Sequence, residues 1–410
     1  MKPANRTIEG CPQEAEEPDI LSQHGNTMQN LRQKAMACYK QGQFADAVDY
    51  FQQVINASSG DAPPLNDLKY LSMALYACND YATALEVTRS LQRYLPDDSE
   101  VAVNLGTLQL MTGDVTGSLK TLQQLIQREP HNVVAFDSIT QLAYSTGNYD
   151  AAKHYGRLSL EAKDAAVCSP DKLVALETRT GMKPGAKAEI PASSGLQVIS
   201  YSLWGNNPVY LKGAVRNAYA ALVVYPGWQC RFYCGENVPA ATLMALREAG
   251  AELIMMPEDQ GYFYGLFWRF LVADDLTVSR YLIRDADSPL TLQERLAVDQ
   301  WIRSGKSCHL IRDWYSHSEL ILAGLWGSVR GVLPKLQPLF NKYYRNNTKE
   351  RTIDQLFLRE IVWPYVRNSH LAHDDYFNFG YTVKYPNRDQ NPQGTHIGQS
   401  WDAFLRCSLR

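Results

Sequence analysis

The sequence predicts a two-part chain, an all-α solenoid of helical hairpins followed by an α/β domain on a mixed sheet. Two observations predict it. A turn-and-small-residue pattern returns every 34 residues in the first part of the chain. After residue 195, apolar runs of strand length alternate with amphipathic stretches of helix length. A fixed period in that range is the mark of a helical repeat array, and strand–helix alternation is the mark of layered α/β packing.

The repeat is visible residue by residue. Gly42-Gln-Phe44 with Ala47 returns as Asn79-Asp-Tyr81 with Ala84, as Gly113-Asp-Val115 with Ser118, and as Gly147-Asn-Tyr149 with Ala152. The steps 79 to 113 and 113 to 147 are both 34 residues; the first, 42 to 79, is 37, and an insertion in Ser58–Pro64 accounts for the excess. Pro96 and Pro130 are also 34 apart, where the second helix of a unit must end. A tight helix–helix turn needs Gly or Asn because these residues take a positive φ at least cost. The small residue five positions later lets the helices approach, and Leu105-Gly106 supplies a matching notch on the first helix of its unit. The pattern resembles the tetratricopeptide repeat over residues 28–163. That resemblance implies a concave surface for a peptide or protein partner, or else an array that only stiffens or dimerises the molecule.

Composition narrows the function. At 410 residues and 45% hydrophobic content, the chain can bury two sizeable cores. A net charge of -3 with mixed signs carries no nucleic-acid footprint. Residues 1–27 form a polar segment whose first 19 residues, Met1–Asp19, lack the apolar core of a secretory signal. No uncharged apolar stretch is long enough to span a bilayer. The eight cysteines are scattered, and Cys230 and Cys234 have no second pair at zinc-site spacing, so buried thiols in a reducing, cytoplasmic setting are expected. The 24 tyrosines suit sugar or base stacking, and an aromatic core explains them equally well.

Residues 164–195 are small, Pro- and Gly-punctuated and aperiodic, and read as a linker. The domain 196–410 then opens with strands at 196–203, 229–234, 251–256 and 280–283, alternating with helices at 209–224, 240–250, 264–274 and 291–304. The fourth strand ends in Arg284-Asp285-Ala286-Asp287-Ser288. Two carboxylates one residue apart at a sheet's carboxyl edge suit a hard divalent cation bridging diphosphate oxygens. The alternative is a solvated turn in which Asp287 caps the next helix.

These residues carry a second resemblance. The pieces SLWG (202–205), YPGW (225–228), CRFYC (230–234), FWRFL (267–271), RDADS (284–288), HLIRD (309–313), AGLWG (323–327), DQLFL (354–358), HDDYF (373–377) and HIGQSW (396–401) occur in an order similar to that of bacterial GT-A-type glycosyltransferase domains. The resemblance implies a Rossmann-like GT-A fold and a DxD motif holding Mn2+ or Mg2+ through Asp285 and Asp287. It implies that His396 completes the metal site, unless His396 is only a surface or core residue. It places base and ribose at Ser202, Leu203 and Trp204, with a core Trp204 as the alternative, and an acceptor loop at Gly324–Gly327 around Trp326, with a plain Gly turn there as the alternative. Asp354 would be the general base of an inverting reaction or simply a helix N-cap, and Asp374, beside Asp375, is a second acidic candidate. Arg269 and Arg284 are guanidinium candidates for the diphosphate, or partners of local carboxylates. His309, Asp313 and His317 straddle a strand-to-loop change and are not expected to form a second metal site.

The function expected is transfer of a sugar from a nucleotide sugar, UDP-linked, to a protein, peptide or glycan acceptor. A capsule or envelope polysaccharide enzyme and a non-catalytic scaffold are the alternatives. A nucleotidyltransferase would carry a basic, Gly-rich loop after its first strand, and Ser202–Asn207 has no Lys or Arg.

Overall fold

Each of the four repeat hairpins among the described residues turns on a residue with positive φ, as the repeat pattern requires. Gly42 (φ 76°), Asn79 (63°), Gly113 (88°) and Gly147 (77°) sit at the four turns. The computed structural model describes residues 20–58, 64–186, 195–257, 262–347, 352–387 and 395–408. Cys11, most of the polar N-terminal segment, most of the insertion and part of the linker lie outside them.

The chain divides into two compact units, one up to Leu125 and one from Ile126 onward. The first holds α1 (Ile20–Lys40) with α2 (Phe44–Ala57), α3 (Leu65–Ala77) with α4 (Tyr81–Tyr94), and α5 (Ser99–Met111) with α6 (Val115–Arg128), whose last turn crosses the boundary. Ala47, Ala84 and Ser118 are all buried at their hairpin crossings. At Gly106 an added Cβ would stand 2.9 Å from Leu122 Cγ, and Ser118 Oγ donates to the Gly106 carbonyl at 2.6 Å. The notch is therefore filled by the facing helix. Phe51, Leu71, Leu75 and Leu105 bury their side chains between hairpins, each worth roughly 1.5–3 kcal/mol.

The second unit opens with a further hairpin, α7 (Val133–Ser145) and α8 (Tyr149–Val167), then α9 (Pro170–Thr180). Next come β1 (Leu196–Leu203), α10 (Pro208–Val224), β2 (Gln229–Gly235), α11 (Ala240–Glu248) and β3 (Glu252–Met256). After α12 (Gly265–Trp268) the chain forms β4 (Val278–Arg284), α13 (Leu292–Ser304), β5 (Cys308–Arg312) and β6 (Leu325–Val329). It ends with α14 (Leu336–Asn346), α15 (Ile353–Phe357), a π turn at Leu358–Val362, α16 (Trp363–Val366), β7 (His370–Asp374), β8 (Thr382–Val383) and α17 (Trp401–Ser408). The aromatic helix expected over 264–274 breaks after one turn, and Arg269–Asp274 tightens to 3-10 geometry.

The strands form one mixed sheet in the order β3-β2-β1-β4-β6-β5-β7-β8. β6 is antiparallel to both β4 and β5, and the other pairings are parallel. Gly327 makes that insertion fit, since a Cβ there would stand 2.6 Å from the Tyr281 carbonyl across the β4–β6 pair. Large side chains fill the layers around the sheet: Tyr201 stacks on Phe232 at 4.5 Å, and Trp326, Trp301 and Trp363 are fully buried. Among the described residues no helix is long and apolar enough to cross a membrane.

Candidate functional site

The strand order sets where a ligand can sit. From β1 the chain steps outward through β2 to β3, then returns to place β4 on the opposite side of β1. The connections leaving β1 and β4 diverge, and a crevice opens at their carboxyl ends, the usual ligand position in such sheets. A cleft of about 560 Å³ lies there, with Ser202, Trp204, Asn237, Arg269, Asp285 and Asp287 among its lining residues.

The turn that carries the two aspartates is held from behind. Asn217, fully buried on α10, donates from Nδ2 to the carbonyls of Ala286 (3.1 Å) and Ser288 (2.8 Å), and its Oδ1 accepts from Leu290 N (3.2 Å). Gly213, one turn earlier on the same helix, lets that turn come close: a Cβ would stand 2.5 Å from the Ala286 carbonyl oxygen and 2.7 Å from Asp287 Cα. The segment 398–401 closes the other side. Ser288 Oγ donates to the Gly398 carbonyl at 2.9 Å, and Trp401 N to the Asp287 carbonyl at 2.8 Å. Gly324 makes room for Asp285, whose carboxylate a Cβ at that position would overlap. So the turn is held mainly through its backbone groups, and both aspartates line the cleft.

Electrostatics mark the same place. Burial, and then the neighbouring Asp285 charge, push the Asp287 carboxyl up to about 6. Arg269 ion-pairs with Asp285 through Nη1 and donates from Nη2 to Asp354 Oδ2 at 2.8 Å. Its backbone N–H donates to Ser202 Oγ at 2.9 Å, and its carbonyl accepts from Ser200 Oγ at 2.7 Å. One arginine thus joins the ends of β1 and β4. Arg269 and Asp354 are both buried, and burial raises the Asp354 carboxyl above its usual range against the pull of Arg269. Asp285 and Asp287, one residue apart in sequence and lining one cleft, with Asp287 driven toward protonation, form a site that a divalent cation would suit.

The structure brings Ser202, Leu203, Trp204, Arg269, Asp285 and Asp287 to one cleft. Trp204 lies over Gly265, where a Cβ would stand 2.9 Å from its ring, and packs edge-on against Trp268. Other expected residues lie elsewhere. Arg284 points to the opposite side of its strand from Asp285 and is buried, pairing with Glu294 at 2.6 Å and donating to the carbonyls of Ile283 and Trp326. Trp326 is fully buried against Phe270 and Tyr281, so it is core, not an acceptor loop. Asp374 pairs with Arg312 at 3.2 Å and accepts the Tyr376 and Phe377 backbone N–H groups, which makes it the anchor of a loop. Asp375 accepts from Tyr385 N at 3.0 Å. Asp354 is no helix cap, because the cap position of α15 is Thr352, and it sits behind Arg269 outside the cleft lining. His396 groups with Asp313 and His317 instead of the aspartate pair.

Sequence reasoning passed over Asn217 and Gly213. An Asn inside an otherwise apolar helix face was the signal available for the first, since a buried amide must find partners. Asn237, whose Oδ1 accepts Gly205 N at 2.6 Å, was likewise silent.

A tetratricopeptide-repeat family profile matches residues 100–132. No curated protein matches the chain. Among solved structures, a MamA double mutant (RS-1) is 15% identical over 35% of this chain and 79% of its own, with a TM-score of 0.32. A Thermobaculum terrenum O-GlcNAc transferase mutant is 15% identical over 64% of this chain and 46% of its own, with a TM-score of 0.37. YrrB, a tetratricopeptide protein described as having an unusual peptide-binding site, is 14% identical over 39% of this chain and 77% of its own, with a TM-score of 0.31.

Proposed function

We propose that the second unit is a GT-A-type, metal-dependent glycosyltransferase whose donor is a nucleotide sugar, with UDP the expected nucleotide. One observation carries the reading: Asp285 and Asp287 share a cleft at the switch point of the sheet with Arg269, Ser202 and Trp204. Asp285 and Asp287 would hold Mn2+ or Mg2+, which when bound neutralises the charge that grows on a leaving diphosphate. Arg269 sits where its guanidinium can exchange Asp285 for a phosphate oxygen, and Trp204 offers a face for the base. Asp354 keeps Arg269 oriented as a positioning residue. The repeats belong to a fold class that offers peptides a concave face, which favours a protein or peptide acceptor over a free glycan.

The test is nucleotide binding by thermal shift and calorimetry on the full chain, with UDP in the presence and absence of Mn2+. Stabilisation by UDP that needs Mn2+ and is lost in Asp287→Ala supports the transferase. Equal shifts with and without metal would sink it in favour of a binding scaffold, and an equal response to nucleoside triphosphates would favour nucleotidyl transfer.

A further inference from the structure

A second cluster of ligand-type side chains stands apart from the aspartate pair. Asp313 follows the carboxyl end of β5, His317 lies four residues on, and His396 comes from the segment that runs past the aspartate turn. Each of the three offers one ligand atom within 4.8 Å of the others. Asp313 is fully buried, His317 is 7% exposed, and His396 is half-buried.

We propose that Asp313, His317 and His396 form a binding site for a divalent transition-metal ion of the zinc class, separate from the ion expected at Asp285 and Asp287. Neighbouring groups orient the ligands as such a site needs. Asp313 Oδ2 accepts Ile397 N at 2.9 Å, and its Oδ1 stands 3.2 Å from His317 Nδ1. Ligand atoms on tetrahedral zinc, at ~2.0–2.2 Å from the ion, are about 3.3 Å apart. His317 Nδ1 is buried and makes no hydrogen bond of acceptable geometry. His396 Nδ1 lies 2.8 Å from the Ile397 carbonyl, so it carries the proton there and leaves the lone pair on Nε2. Trp314 stacks on His396 at 5.2 Å and fixes its ring. Two imidazoles and one carboxylate select zinc or cobalt over magnesium, and three protein ligands leave a position for water. The ion would fasten the segment 395–401 to the end of β5, and that segment bonds the aspartate turn through Gly398 and Trp401.

The full chain, stripped with a chelator, is titrated with Zn2+ and separately with Co2+. One tight equivalent is expected, with a tetrahedral cobalt absorption band. His317→Ala and His396→Ala should each weaken binding by about 100-fold or more, since each removes a ligand atom and not merely a group that orients one, while Asp287→Asn keeps the full equivalent. X-ray absorption of the zinc-loaded wild type reads two imidazole ligands and requires no variant to fold. The proposal is overturned if the wild type takes up no zinc, if its bound zinc shows no imidazole, or if only Asp287→Asn removes binding. Because the readout is zinc in the absence of nucleotide, the result does not depend on the glycosyltransferase reading.

Discussion

Arg269 Nη2 donates to Asp354 Oδ2 at 2.8 Å, and both side chains are buried although their residues are 85 positions apart. The pair joins the 3-10 turn after α12 to α15, and the same guanidinium reaches Asp285 at the cleft. Removing one member of a buried pair leaves the other charge without compensation. Asp354→Ala should therefore destabilise the second unit by about 3–5 kcal/mol, read from denaturant unfolding. Asp354→Asn keeps the shape and should fold better, yet it should weaken UDP–Mn2+ binding because Arg269 then faces a neutral amide in place of a carboxylate. Unchanged nucleotide affinity in Asp354→Asn would mean that the pair serves stability alone.

Asp287 gives a pH dependence with a definite sign. Its folded-state value, about 6, lies above the ordinary 3.8, so between the two the folded protein holds a proton that the unfolded chain has released. The group favours folding at low pH, and that contribution is lost as pH rises from about 4 through about 6. Metal binding runs the other way, because the cation needs the ionised carboxylate. Apparent Mn2+ affinity should fall as pH drops below about 6, by up to about tenfold per pH unit for a single proton. Metal-free Asp287→Asn should be more stable than wild type at pH 7 and should lack this part of the profile. A flat Mn2+ affinity between pH 5 and 7, by calorimetry, contradicts the assignment.

Gly213 offers a substitution whose expected sign is opposite to the usual one. Glycine to alanine inside a helix ordinarily stabilises by ~1 kcal/mol. Here the new Cβ would meet backbone atoms of Ala286 and Asp287, which cannot rotate away. Gly213→Ala should destabilise by about 1–3 kcal/mol through overpacking and reduce Mn2+ affinity by displacing the turn. Asn217→Ala should act in the same direction through three lost hydrogen bonds to that turn. A stabilised Gly213→Ala would show that α10 does not fix the aspartates.

The repeats and the first four strands were legible because each is a local pattern: a 34-residue period, a positive-φ turn residue, an apolar run. The order of the sheet was not, since β6 inserts antiparallel between β4 and β5, and β5 pairs with β7, whose residues lie far along the chain. The aspartate pair could be placed at the sheet's carboxyl edge because strand end and carboxylates are neighbours in the chain. Arg284 was misplaced for the same reason. It is adjacent to Asp285 in sequence, but side chains alternate along a strand, and Glu294 on α13 claims the guanidinium. Trp326 and Asp374 could not be told from site residues without knowing which layer covers them. Asp313, His317 and His396 meet only after β5 and the C-terminal segment converge, a contact no spacing rule reports.

Asn79 is the one hairpin-turn residue of the four with a side chain, at φ 63°, while the other three are glycine. Asparagine tolerates the left-handed region better than any β-branched residue, and here Tyr81 Oη donates to its Oδ1 at 2.6 Å. The bond is exposed, so its net value is small. Asn79→Gly should therefore leave the stability of the first unit within about 0.5 kcal/mol of wild type, the relaxed backbone offsetting the lost bond. Asn79→Val should cost about 1–2 kcal/mol, because a β-branched residue is forced into the same φ. Gly113→Ala, at φ 88°, should cost about 1 kcal/mol for the same reason. Helical circular dichroism followed through urea unfolding checks all three. A penalty for Asn79→Gly equal to that of Asn79→Val would mean that the side-chain bond to Tyr81, and not the backbone conformation, determines the turn.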